Sequence, residues 1–244
     1  MRLRSWCTIV ICGMLVTPAF ADDGQGGPNC GGLPSSSDLR QLLNQAAQTD
    51  KPIGGLFEGT RMWGAVVNRD GEFCAANTST GDRTQVWPGS QAIAKAKAYT
   101  ANAFSLDALA LSTAMLYTFT QPGHSLWSLG QSNLFDTSFL KAPKDANDER
   151  GDIPGGLIFF GGGVPLYRNG HIIGALGVSG DTSCADHEIA KRVRDLAGLN
   201  PPGGKLVDDI VYTTSVFAHP VCQNTYQNGT KMGNEAEASY PSRP

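Results

Sequence analysis

Basic residues are scarce and scattered. Beyond Arg2 and Arg4 no block of Lys or Arg occurs, and the formal net charge is −3. Electrostatic capture of nucleic acid or of an anionic membrane therefore has no basis in the composition. No stretch after the N-terminal segment reaches the roughly 18 uncharged apolar residues that a membrane-spanning helix needs. Cys-x-x-Cys, His-x-x-x-His and His-Glu-x-x-His spacings are all missing. That removes the usual signatures of a structural zinc site, a thioredoxin-like redox centre and a zinc protease. The segment Gly177-Val178-Ser179-Gly180-Asp181 carries Asp181 where the nucleophile turn of a serine hydrolase needs its second glycine, so that chemistry is excluded as well. No internal repeat is visible.

What remains is a chain with 41% apolar residues, enough for a real core, and 30 glycines, many in doublets and triplets that mark tight turns and close backbone approaches. Arg2 and Arg4 precede an apolar run from Trp6 to Val16 that ends in Ala19-Phe20-Ala21, the pattern of a secretory signal peptide over residues 1–21. Its removal takes Cys7 and Cys12 with it. Cys30, Cys74, Cys184 and Cys222 are left, an even set in a chain bound for the periplasm or the exterior, so two disulfides are expected, with three pairings open.

Residues 22–34, rich in Gly, Pro, Asp and Asn, read as a flexible arm. Ser35 to Ser37 then offer N-caps for a helix carrying Leu39, Leu42, Leu43, Ala46 and Ala47. Two strands, Trp63 to Val67 and Glu72 to Ala76, flank an Asp70-Gly71 turn. Ser90 is a cap for a helix that runs to about Phe104, with Ile93, Ala94, Ala98, Ala101 and Phe104 on its apolar stripe. The segment 105–153 reads as a long excursion with a short helix near 107–117. A meander of three strands follows, Leu157 to Phe160, Val164 to Tyr167 and His171 to Ser179, the last two joined at Asn169-Gly170. Ser183 then caps a helix that Pro201-Pro202 stops. Residues 203–244 form a tail with one strand, Ile210 to Val216, and a disordered end. The element order defines one α+β domain over 35–202, an antiparallel sheet with helices packed on it.

The run Gly162-Gly163-Val164-Pro165-Leu166-Tyr167-Arg168-Asn169-Gly170, continued as His171-Ile172-Ile173-Gly174-Ala175-Leu176-Gly177-Val178-Ser179-Gly180, resembles the signature of the GlcG/HbpS family. Asp186 fits the acidic position that opens the family's last helix. Ile93-Ala94-Lys95-Ala96-Lys97-Ala98-Tyr99-Thr100-Ala101 is similar to its central helix. The resemblance spans about Leu39 to Gly198 and implies a profilin-like sandwich that forms homo-oligomers. It also implies haem as cofactor, for binding, degradation or sensing, and a sensor kinase as partner. An aromatic-rich insertion near 117–139, the four mature cysteines and the tail after Pro202 depart from the family pattern.

Lys97 lies within an apolar stripe, where an ammonium must snorkel, pair with a carboxylate or meet an anionic ligand such as a haem propionate, with the Thr100 hydroxyl alongside. Four histidines are candidates for iron ligation or proton transfer. His124, on a Pro-Gly turn close to Trp127, is the first choice of axial ligand, and His171, after the hairpin turn, is the reserve. His219 precedes Pro220 in the tail, and His187 is expected at the surface. A second reading makes the chain a cofactor-independent enzyme or accessory factor acting on a small oxygenated metabolite, with Lys97 and a histidine as acid/base pair. N-terminal sequencing of the exported protein is predicted to begin at Asp22; an intact Met1 on exported material would refute the signal peptide.

Overall fold

The computed structural model describes residues 29–144 and 148–233. The segment 1–21, expected to be a signal peptide, lies outside them, as do the first residues of the expected arm and the end of the tail. Helix α1 spans Ser36–Ala47. It starts where Ser35 Oγ accepts from the Asp38 amide while Asp38 accepts from the Ser35 amide, a reciprocal cap. Strands β1, Trp63–Asn68, and β2, Phe73–Thr78, are joined by a turn in which Asn68 Oδ1 accepts from the amides of Asp70 and Glu72. Helix α2 runs Ser90–Phe104, and a four-residue helix α3, Leu129–Ser132, lies in the excursion. Strands β3, Gly163–Arg168, and β4, His171–Ser179, form a hairpin on Asn169 and Gly170, both left-handed. Helix α4 spans Ser183–Leu196, and a small hairpin of β5, Tyr226–Gln227, and β6, Thr230–Lys231, sits in the tail.

The main sheet is antiparallel in the order β2-β1-β4-β3. Register puts Val66 opposite Leu176 and Gly64 opposite Val178. Because side chains alternate along a strand, Val66, Leu176, Val178, Val164 and Leu166 share one face, where they pack on Leu39 and Leu43 of α1 and on Ile189 and Val193 of α4. Val67 and Ala175 point the other way, onto Ala98 and Ala101 of α2. Glycines set the depth of that second contact. A Cβ on Gly177 would lie 2.0 Å from the Ala94 carbonyl oxygen, and one on Gly163 would lie 2.5 Å from that of Lys97. Small side chains are therefore compulsory where α2 crosses the sheet.

Two lysines of α2 are wholly buried. Lys97 Nζ donates to Asp186 Oδ2 at 2.7 Å and to the Val178 carbonyl at 2.9 Å, and it stands 4.9 Å over the Phe160 ring. Gly162, at φ 121°, makes room for it, since a Cβ there would come within 2.6 Å of the ammonium. Burial pushes the Asp186 carboxyl up to about 6 and lowers Lys97, and the attraction between them opposes both shifts. Lys95 points instead at the excursion, where Glu149 and the carbonyls of Phe139 and Lys141 receive it.

Several segments depart from the sequence expectation. Leu157 to Phe160 is not a strand, because the Ile158 amide donates to Thr100 Oγ1 and the Phe160 carbonyl accepts from Thr113 Oγ1, leaving no ladder to join. The helix expected near 107–117 is a tight Leu106–Leu109 turn followed by a 3₁₀ turn over Thr113–Leu116, because the Asp107 carboxylate is drawn to β4. Ile210 to Val216 holds only an isolated bridge, Val211 to Ala218; the Ile210 carbonyl is taken by the Gln227 side chain. Thr182, not Ser183, caps α4 through the Ala185 amide, and Gly89, not Ser90, precedes α2 without a side-chain cap.

Among the described residues the four cysteines pair Cys30 with Cys74 and Cys184 with Cys222. The first ties the described part of the arm to β2, and the second ties the tail to α4. Arg194, fully buried, adds a two-pronged bond to Asp208 at 2.7 and 2.6 Å. In the loop-entropy account each disulfide, closing 44 or 38 residues, stabilises by about 4 kcal/mol.

Removing one partner of a buried pair strands the other charge. Lys97→Met and Asp186→Asn are each predicted to cost about 3–5 kcal/mol of unfolding free energy. The double variant Lys97→Met with Asp186→Leu should recover part of that loss. Denaturant melts check this; single variants as stable as the parent would show that the pair holds nothing together.

Candidate functional site

The side chains singled out in the sequence fall in different places. Lys97 is committed to Asp186 and Val178, as described. Thr100 is buried one turn further along α2; its hydroxyl donates to the Ala96 carbonyl and accepts from the Ile158 amide, so both capacities are used. In the glycine triplet Gly161 to Gly163, two of the three amides are already used, because Gly161 N–H donates to His219 and Gly163 N–H to Thr113 Oγ1. His124 is exposed on its turn near half-exposed Trp127, and among the described residues its ring has no hydrogen-bond partner.

His187 is buried, contrary to expectation. It lies on the face of α4 that the tail covers, with Nε2 3.4 Å from Asp209 Oδ1. Asp209 also pairs with Lys191 at 2.6 Å, and these contacts hold its carboxyl far below the usual range despite burial. The helical periodicity of α4 marked one apolar stripe only; the tail that buries a second stripe has no periodic signal of its own.

His219 is likewise buried. Its Nδ1 lies 2.7 Å from the Pro220 carbonyl and its Nε2 accepts from the Gly161 amide at 3.2 Å. A carbonyl can only accept and an amide N–H only donate, so the ring is the neutral Nδ1–H tautomer. Burial lowers its pKa to about 4.

His171 stands apart from these. It opens β4 beside the Asn169-Gly170 turn, with its side chain 76% exposed. Its Nδ1 is 2.7 Å from Asp107 Oδ2, while Asp107 Oδ1 accepts from the Ile172 amide at 2.8 Å. The Ile172 amide foremost, and then His171, hold the Asp107 carboxyl below its ordinary range, with Arg69 adding a smaller pull. A carboxylate on Nδ1 fixes the tautomer and leaves Nε2 free, pointing away from its partner. Asp107 sits in the Leu106–Leu109 turn, whose two leucines are 59% and 48% exposed, and the Tyr167 hydroxyl donates to the Leu106 carbonyl at 2.7 Å, which anchors the turn on the sheet. The result is an oriented imidazole at a hairpin, next to the exposed Leu106–Leu109 turn, with the Arg69 cation, which donates to the Asn102 carbonyl and side chain, acting on Asp107. Asp107 and Arg69 were missed in the sequence; the only available trace was a lone acid between two leucines.

Three clefts elsewhere are lined differently. One of about 380 Å³ lies between α1 and Arg168, and one of about 210 Å³ lies between α4 and the tail; neither contains a histidine. A shallow hollow of about 340 Å³ reaches Tyr117, Tyr212 and His219.

The chain matches the family of haem-degrading HbpS-like proteins over residues 37–195 and belongs to it. No curated protein matches the chain. Among solved structures, the ORFY protein of Klebsiella pneumoniae is 20% identical, with a TM-score of 0.46 over 74% of this chain and 98% of its own. A complex of PduOC with haem is 23% identical, with a TM-score of 0.44 over 64% and 87% of the two chains. HbpS itself is 21% identical, with a TM-score of 0.43 over 66% and 85%.

The buried neutral His219 gives a pH dependence of known sign. Its pKa falls from 6.5 to about 4 on folding, so the unfolded chain binds more protons between those values. Stability is predicted to be full above pH 6.5 and to fall, by about 3 kcal/mol, as the pH drops to about 4. Asp186 acts in the opposite direction over an overlapping range, so the difference between the parent and His219→Gln is the quantity to measure. Parallel stability curves for the two proteins would refute the assignment.

Proposed function

We propose that this chain is a secreted haem-binding protein with His171 as the iron ligand. The observation that carries this is the Asp107–His171 pair, 2.7 Å apart, which leaves Nε2 free beside exposed Leu106 and Leu109. Membership of a family described as haem-degrading supports it. When bound, haem supplies the iron centre to which all ligand and redox chemistry belongs. The protein's own contributions are distinct. Asp107 would hold the imidazole in the Nδ1–H form and raise the basicity of Nε2. Leu106 and Leu109 would cover porphyrin edge, and Arg69 would meet a propionate. Lys97 and Thr100, both spent inside the fold, are given no contact with the ligand in this proposal. His124 is the alternative ligand, without a carboxylate to orient it.

Because the leucine ridge covers only one side of a flat ligand, a second copy of the chain is proposed to cover the other, which makes the binding form a homo-oligomer. Sensing is the proposed use, with a sensor kinase as the downstream partner, and degradation is the competing use of the same contact. The acid/base alternative asked Lys97 to work with a histidine; among the described residues no histidine hydrogen-bonds it, and Asp186 takes its charge.

Titration with haemin is predicted to give a saturable Soret shift at one equivalent per chain. His171→Ala and Asp107→Asn should each weaken binding by about tenfold to hundredfold, and His124→Ala should leave it unchanged. A titration without saturation would defeat the proposal, and full affinity in His171→Ala would move ligation to another residue.

A further inference from the structure

The Cys184–Cys222 disulfide lies within a cluster whose donor set is that of a metal site. Cys184 Sγ, Cys222 Sγ and one ring nitrogen of His219 all lie within 4.8 Å of one another. Ser183 Oγ is 3.3 Å from Cys222 Sγ and 3.5 Å from His219 Nε2. Cys184 and His219 are almost wholly buried, and Cys222 is half-buried. The Pro220 carbonyl holds the Nδ1 proton, so the nitrogen with a lone pair is Nε2, the one that Ser183 Oγ approaches. This is the arrangement by which proteins aim a ligating imidazole. That lone pair is now given to the Gly161 amide at 3.2 Å, the longer of the ring's two bonds. Cys184 is also the second residue of α4, where the helix dipole favours a thiolate.

We propose that reduction of the Cys184–Cys222 disulfide turns this cluster into a Cys₂His site for zinc, with the fourth position open to water or the Ser183 hydroxyl. Two thiolates, one neutral imidazole and an open position form a zinc-type ligand set. The reductant is a dithiol. It gives two electrons and two protons, closing to its own disulfide as the Sγ–Sγ bond breaks into two thiols. Zinc then displaces one proton from each thiol, and two protons are released per ion bound. No haem takes part, so the site stands or falls separately from the function proposed above. His219 and Cys222 lie beyond residues 37–195, so the family domain supplies one ligand and the chain's own tail supplies two.

The test uses the full exported chain, reduced with a phosphine under argon, with cobalt(II) as spectroscopic probe and zinc as competitor. One cobalt per chain should bind with thiolate-to-metal charge transfer, zinc should displace it, and the oxidised chain should show neither effect. His219→Gln should weaken cobalt binding by about tenfold or more and alter the visible spectrum. Cys30→Ser with Cys74→Ser should retain the band. Zinc should also raise the melting temperature of the reduced parent protein, a readout that needs no variant to fold. A reduced chain with no charge-transfer band and no rise in melting temperature would overturn the proposal. Undiminished affinity in His219→Gln would overturn the ligand assignment, and loss of the band with Cys30 and Cys74 would place the metal at the other disulfide.

Discussion

A buried ammonium on α2 must find a carboxylate, and most of the fold is arranged so that Lys97 finds Asp186. The pair joins three elements at one point: α2 below the sheet, the end of β4 through the Val178 carbonyl, and the first turn of α4 above it. An unpaired charge in such a site would cost several kcal/mol, so any arrangement that separates α2 from α4 is disfavoured. Gly162 has no Cβ because that atom would meet the ammonium, and Gly163 and Gly177 have none because α2 lies against them. The motif by which the chain resembles its family is thus, in large part, the set of residues that lets this ion pair form in a close-packed interior.

That assignment explains why the fold could be read in the sequence more fully than the site. Helices α1, α2 and α4, the β1–β2 and β3–β4 hairpins and the even cysteine set all rest on local signals: apolar periodicity, Asp-Gly and Asn-Gly turns, and the expectation of export to an oxidising compartment. Segments held by tertiary bonds gave no such signal. Leu157 to Phe160 joins no ladder and is held by Thr100 and Thr113, and the tail after Pro202 is positioned by Asp208, Asp209 and Cys222, each acting on α4. The Lys97 stripe marked a residue with a special partner without saying which kind, and the partner is internal. The orientation of His171 by Asp107 depends on contact across 64 positions, which no spacing rule reveals.

The two ends of the described chain are fastened in different ways. The arm is tied to β2 by one disulfide, while the tail is tied to α4 by a disulfide, a buried Arg194–Asp208 pair and the Lys191–Asp209 contact. The tail thereby buries His187 and brings His219 against the glycine triplet, closing the end of the sheet opposite the Asn169-Gly170 hairpin. Rigid packing at one end and an exposed, carboxylate-oriented histidine on a hairpin at the other is the division of labour expected of a binding protein, in which contact residues sit on loops that a stable scaffold positions.

If Gly162, Gly163, Gly177 and Lys97 serve the scaffold while the hairpin rim serves the ligand, haemin must act at one and leave the other undisturbed. Nitrogen NMR of histidine-labelled protein during haemin addition separates these directly. The account predicts that the His171 ring resonances broaden or shift first and most, while those of His187 and His219, at the packed end, keep their positions. Perturbation centred on His219, or on His124 with His171 unmoved, would contradict it.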